Sequence, residues 1–268
     1  MGHVEWIEFA RVERVPTPGE IVHASEAWEE PGGGGAVSAV QLAKLGGGAD
    51  FFCALGDDKL GHRAHDALTR EGLRVHAAWR SEPQRRGFVH VDRAAERTIT
   101  VIGDRLGPVG DDALPWELLD DADAVYFTAG DADAARHARR ARTMVATPRG
   151  LETLVDSGVE LDALVASGKD EGERYTGELD PPPRVVVLTA GRAGGEWTAR
   201  DGTTGRYEPA PLPGDPSDAY GAGDSFAAGL TFGLGDGRGL EQALALAARC
   251  GAAAMTGRGC FAGQLKQG

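Results

Sequence analysis

The segment Asp218-Ala219-Tyr220-Gly221-Ala222-Gly223-Asp224-Ser225-Phe226 joins a carboxylate to a glycine turn at the start of an amphipathic pattern. Gly221 and Gly223 let the backbone turn tightly and leave bare N–H groups at a helix N-terminus. With the helix dipole, those groups make a site for an anion. Asp224 falls in the first turn, so its carboxylate stands beside that anion. Transfer of a phosphoryl group to a hydroxyl needs this pairing: donors for the migrating group and a base for the hydroxyl proton. A base so placed contributes about 10²–10⁴-fold in rate. The competing reading of these residues taken alone is a helix cap at Asp224 and an ordinary glycine turn.

Such a site needs rigid elements around it, and the chain supplies an alternation of them. Asp50-Phe51-Phe52-Cys53-Ala54-Leu55-Gly56 reads as a buried strand, followed by Leu60, Ala64, Ala67 and Leu68 at helical spacing up to Gly72. Ala124-Val125-Tyr126-Phe127-Thr128 and Arg184-Val185-Val186-Val187-Leu188-Thr189 are further apolar runs. Strands covered on both faces in a parallel sheet have this composition. Two helices are predicted near the end, over residues 224–234 and 240–255. The pattern predicts a three-layer α/β/α sandwich. Residues 12–27, with Ile21-Val22-His23-Ala24, break it, as do 87–92 and 97–102, which alternate with a period of two around a polar turn at 93–96. These are expected to form a small separate sheet covering the main body. The expected organisation is one domain over 1–268, with the cover built from about 9–30 and 86–103.

The bulk numbers narrow the function classes. The chain has 268 residues, 41% hydrophobic and 26% charged, enough for a sizeable core. Its 28 Lys and Arg against 41 Asp and Glu give a net charge of −13, which repels phosphate backbones and anionic lipid. Neither nucleic acid nor membrane is an expected partner. No apolar run reaches the ~18 residues of a membrane span, and the start lacks the features of a signal peptide. Cys53, Cys250 and Cys260 have no metal-like spacing and read as reduced thiols, so a cytoplasmic location is expected. The 40 glycines punctuate loops between periodic segments. No G-x-G-x-x-G dinucleotide turn occurs, because Ser38 and Phe226 stand at the last position of the two nearest matches. No P-loop occurs either, because Lys169 precedes Asp170.

The nonapeptide resembles the C-terminal signature of the ribokinase/PfkB family, and further segments follow in that family's order. Residues 2–6 through Pro16-Thr17-Pro18-Gly19-Glu20 look like the opening strand end and the lead into a lid. Gly32-Gly33-Gly34-Gly35-Ala36-Val37-Ser38-Ala39 looks like the N-terminal glycine signature. Val187-Leu188-Thr189-Ala190-Gly191-Arg192-Ala193-Gly194-Gly195 is similar to the strand and loop that meet ATP phosphates. Thr256-Gly257-Arg258-Gly259 resembles the turn beside the adenine and a monovalent cation. The resemblance implies an ATP-dependent kinase for a small-molecule hydroxyl, using Mg²⁺ and K⁺. Asp224 would be the base, with the amides of Gly221, Ala222 and Gly223 as the anion hole. Asp218 would help hold K⁺. Thr189, Gly191, Gly194, Gly257 and Gly259 would line the nucleotide. Glu5, Gly32, Gly33, Gly34, Val37 and, more weakly, Asp131 would face the acceptor. Family members pair lid to lid, so a homodimer is expected.

The pattern is broken in four places. Glu5 and Ile7 stand where sugar kinases of this type carry an Asn and an Asp that grip hydroxyls, and Val37 replaces the Asn of the glycine signature. These losses argue against plain ribose or fructose; with Trp6, they point to a more apolar acceptor such as a nucleoside or modified polyol, or else to ordinary core packing. The Asn-x-x-Glu that organises Mg²⁺ through water is reduced to Ser167-Gly168-Lys169-Asp170, leaving Asp170 or Glu171 for that role. Only Met1 precedes Gly2: either the start codon lies upstream or the sheet lacks part of its first central strand. A catalytically weak or silent nucleotide-binding protein on the same fold is therefore the second expectation. Arg105, after the second lid strand, is in reach of a phosphate or carboxylate or is a surface group, and the arginines at 136, 139, 140 and 142 read as a solvated helix face.

Overall fold

A computed structural model describes residues 1–266. Its largest sheet holds β7 (Ala124–Phe127), β8 (Thr143–Ala146), β9 (Ala163–Ser167) and β10 (Val185–Thr189) in parallel, continued antiparallel by β11 (Gly195–Ala199) and β12 (Thr204–Tyr207). Successive side chains of a strand point to opposite faces, and both faces here are apolar. Val125, Phe127, Met144, Ala146 and Leu164 pack on one side with α3 (Ala132–Ala138) and α4 (Leu151–Ser157). Tyr126, Val145, Val165 and Val187 pack on the other with α5 (Ala222–Gly235) and α6 (Leu240–Ala254). Continuous apolar runs thus become central strands, and the molecule is the three-layer α/β/α sandwich that the alternation predicts.

The parallel pair β3 (Ala49–Gly56) and β4 (Leu73–Arg80), with α1 (Gly34–Gly46) and α2 (Lys59–Arg70), extends this body. The predicted strand and helix here are present within one or two residues of their expected ends. Met1 and Gly2 fill the slot between β3 and β7. Gly2 N–H donates to Phe52 O at 3.0 Å, and Thr128 N–H donates to Met1 O at 3.1 Å. These two bonds join the two-stranded ladder to the six-stranded one.

A separate four-stranded sheet has the order β2-β1-β5-β6, built from β1 (Glu5–Arg11), β2 (Glu26–Gly32), β5 (Arg86–Val91) and β6 (Arg97–Ile102). Burial alternates along β5, as the period of two predicts. Two expectations are corrected. Ile21-Val22-His23-Ala24 is not a strand: the chain loops over 12–25 with Ile21 89% exposed, because four residues offer too little apolar surface to hold an edge. The first strand starts earlier, at Glu5, and pairs in parallel with β5, from Trp6↔Arg86 to Arg11↔Val91.

Candidate active site

The carboxyl ends of β7, β8, β9 and β10 lead into Thr128, Thr147, Ser167 and Thr189, and all four line one cavity of about 480 Å³. Ligands of open α/β sheets lie beyond this end of the strands. Opposite stands the N-terminus of α5. Its cap, Gly221, has φ 71° and ψ 6°, a left-handed conformation that side chains resist, and a Cβ there would come 2.7 Å from Val37 Cγ1. Gly221, Ala222, Gly223 and Asp224 all line the cavity. The first N–H groups of a helix have no partner within it, so this end offers free donors.

Asp224, in the first turn of α5, neither caps the helix nor pairs with a base among the described residues. Its carboxylate lies so near α1 that a Cβ at Gly34 would come 2.8 Å from Oδ1. Burial first, and Glu173 second, raise its pKa to about 6, against the pull of Arg97 and Arg149. A half-buried carboxylate with free oxygens beside unpaired amides is able to take a proton where an anion is held.

Asp218, also in the preceding turn, is fully buried. Its Oδ1 accepts from Tyr220 N–H at 2.8 Å and its Oδ2 from Gly259 N–H at 3.1 Å, tying the loop before α5 to the turn after α6. Burial raises its pKa. A desolvated carboxylate with only backbone donors for partners suits a nearby monovalent cation.

Thr189, Gly191 and Gly194 line the cavity, together with Lys169 and Arg192. Its other end is apolar, formed by Ala248, Ala252 and Met255 near the end of α6 and by Pro209, Ala210 and Leu212. Gly257 and Gly259 do not line it. Gly257 packs on Gly263, and Gly259 binds Asp218.

On the acceptor side, only Gly34 of the glycine run lines the cavity. Gly33 N–H donates to the buried Tyr220 hydroxyl at 2.9 Å, and Gly32 is packed against Ile7, Tyr220 and Cys260. Val37 is fully buried in the core and supports Gly221, so its expected contact with acceptor is corrected to packing. Ile7 and Trp6 are core residues too, the indole lying under Arg63. Glu5 is buried and engaged by Arg85 at 2.7 Å. Asp131 lines an adjoining pocket, but its Oδ1 caps α3 by accepting from Ala134 N–H at 2.8 Å and also accepts from Gly110 N–H at 2.9 Å.

Asp170 lines the cavity, but its carboxylate is taken by Arg149 and by Gly172 N–H. Glu173, absent from the expected site, also lines the cavity. It accepts from Ser167 N–H at 2.8 Å and from Arg149 Nε at 2.8 Å, whereas the expected alternative, Glu171, stays exposed. A carboxylate shifted three residues from the family spacing was the available signal. His3, Arg97 and Arg149 were also missed. Arg97 reaches the cavity from β6, and in the turn before it Ala95 O accepts from Ala219 N–H at 3.2 Å, so the small sheet touches the loop that carries Asp218. The described residues contain no cluster of His, Cys, Asp and Glu fit to hold a metal unaided.

The family model described as pfkB family carbohydrate kinase matches residues 1–147 and 154–266. No curated protein matches the chain. Among solved structures, ribokinase from Thermotoga maritima is similar with a TM-score of 0.79 at 20% identity, covering 99% of this chain and 94% of that one. Arabidopsis thaliana ribokinase, complexed with ribose and ATP, gives 0.75 at 19% identity over 99% and 94% of the two chains. Adenosine kinase from Sinorhizobium meliloti gives 0.74 at 20% identity over 97% and 94%. At such identities the structures speak for the fold, and the family match speaks for the lineage. With the fold, the glycine turn and the open strand ends all in place, the chain belongs to the pfkB family of carbohydrate kinases.

Proposed function

We propose that this protein is a cytoplasmic, ATP-dependent kinase that moves the γ-phosphate to a hydroxyl of a sugar, nucleoside or polyol, with Asp224 as general base. One observation carries the reading. The Asp224 carboxylate is unpaired and faces a cavity of about 480 Å³ at the helix end that supplies free amides.

ATP would lie with its base between the apolar end of α6 and residues 209–212, and its phosphates over Thr189, Gly191 and Gly194 near Lys169. The γ-phosphate would reach the amides of Gly221, Ala222 and Gly223, where the α5 dipole favours an anion. An acceptor hydroxyl beside Asp224 and Gly34 would give its proton to Asp224 as its oxygen bonds to the γ-phosphorus and the bond from that phosphorus to the β-phosphate oxygen breaks, releasing ADP. Glu173, and Asp170 if it lets go of Arg149, would hold the water shell of a Mg²⁺ brought with ATP, which would supply positive charge against the transferring group. K⁺ would sit by Asp218 and stiffen the loop before α5. The four-stranded sheet would act as a lid, with Arg97 on the cavity side, and would exclude water so that ATP is not hydrolysed.

The test incubates the protein with ATP, Mg²⁺, K⁺ and a panel of sugars, nucleosides and polyols while following ADP. Acceptor-dependent ADP is the expected result. ATP binding with no turnover on any acceptor would turn the assignment towards a silent nucleotide-binding protein.

A further inference from the structure

We infer that His3 selects the acceptor: its Nδ1–H donates to an oxygen carried on the carbon beside the one whose hydroxyl reacts. The inference rests on the kinase reading above and gives its acceptor a vicinal pair of oxygens. His3 and Asp224 meet at Gly34. The point where a Cβ on Gly34 would stand lies 2.8 Å from Asp224 Oδ1 and 3.5 Å from His3 Cε1. All three residues line the active-site cavity. Glycine keeps that point free for a ligand atom, which then has the carboxylate on one side and the imidazole on the other.

The ring is held in one state. Gly34 N–H donates to Nε2 at 3.3 Å, so Nε2 is an acceptor and the ring proton is assigned to Nδ1. Glu5 Oε1 stands 3.9 Å from Nε2, too far for a hydrogen bond, and is engaged by Arg85 at 2.7 Å. Burial first, then the charges of Arg105, Arg85 and Arg149, push the pKa of His3 down to about 3. The imidazole is therefore neutral wherever Asp224 is ionised, and it serves as a fixed donor rather than as a second base.

That donor has nothing to bind. His3 is 6% exposed, and its Nδ1 has no hydrogen-bond partner among the described residues. A buried N–H left unpaired is costly, and native structures keep few of them. Thr128 Oγ1, packed against Gly2, and Gln264 Oε1, in a side chain bonded through Nε2 to Val37 O, are also unpaired. The hydroxyl rotates and the amide is bonded elsewhere, whereas the ring N–H has one direction. A donor without charge asks for a lone pair, not for an anion. A hydroxyl or a ring ether oxygen supplies one.

Two variants separate donation to the acceptor from support of Gly34. Glutamine carries an oxygen at the reach of Nε2 and no donor at Nδ1, while asparagine carries an NH₂ at the reach of Nδ1. Binding by calorimetry and ADP release are measured for wild type, His3→Gln and His3→Asn, with thermal unfolding as the check on folding. Acceptors come in matched pairs: glycerol against 1,3-propanediol for a hydroxyl, adenosine against carbocyclic adenosine for a ring ether. Wild type should prefer the oxygen-bearing member of one pair by about 10- to 100-fold. His3→Asn should keep most of that preference and His3→Gln lose it, neither weakening ATP. Nitrogen NMR at neutral pH should show the His3 ring neutral and protonated at Nδ1, its signal assigned by its loss in His3→Gln. A proton on Nε2, no preference in either pair, or a preference kept by His3→Gln and lost by His3→Asn overturns the inference. Any of these with acceptor-dependent ADP leaves the kinase reading standing. His3-dependent selection with no ADP from any acceptor sinks the kinase reading and keeps the donor.

Discussion

Asp224 has its pKa raised to about 6 by burial and by Glu173, against 3.8 for an ordinary aspartate. Two outcomes follow from that shift. A base must be ionised to accept a proton, so kcat/KM for the acceptor should rise as pH passes about 6 and level off above it. The pH profile of initial rates checks this, and a limb below pH 5 would contradict it. The folded state binds the proton more tightly than the unfolded chain, so stability present below pH 3.8 is lost as pH rises through about 6. Asp224→Asn should therefore raise the melting temperature at pH 8, with the gain shrinking in acid, as calorimetry at both ends would record. The place of Asp224 and the glycines before it on one cavity was legible because they stand in one contiguous stretch at the start of a helix. Arg149, Glu173 and His3 were not, since each reaches the cavity from a different strand end and none stands in a motif. Val37 was misread because a buried apolar residue one turn into a helix has the same sequence appearance whether it faces a ligand or the core.

The N-terminus of α5 depends on the left-handed turn at Gly221, and α1 approaches it closely. Gly221→Ala must place a Cβ at φ 71°, within 2.7 Å of Val37 Cγ1. The left-handed backbone alone costs about 1–2 kcal/mol, and the contact adds to it. Denaturant unfolding should show a loss of at least about that size, and an unchanged midpoint would contradict the geometry. The parallel strands and helices of the main body were legible because apolar runs and helical spacing are local signals. The small sheet was legible only in part. Its β5–β6 hairpin follows from alternation around a polar turn, whereas the parallel pairing of β1 with β5 joins segments about 80 residues apart through contacts that no local pattern announces. Ile21-Val22-His23-Ala24 misled because alternation over so few residues does not separate an edge strand from a loop.

Across the whole molecule, the sandwich carries the strand ends and α5, and the small sheet touches the loop before α5 through the Ala95–Ala219 contact. The outer strand of that sheet, β6, exposes Ile99, Val101 and Ile102 at 39%, 44% and 46% along an edge that has no partner among the described residues. Unpaired apolar edges seek another strand. Sedimentation should give twice the 28.0 kDa chain mass, and Val101→Glu should return the monomer; a monomeric wild type would remove the pairing. The net charge of −13 argues against polyanionic partners from composition alone, yet it hid the arginines Arg97, Arg149 and Arg192 around the cavity, because composition averages over the surface. The most direct single measurement is the rate of phosphoryl transfer by Asp224→Asn beside wild type, with ATP and a working acceptor saturating and ATP binding measured on the same samples. A fall of about 10²–10⁴-fold with ATP affinity retained is the result expected of a lost base. Transfer at the wild-type rate would contradict it.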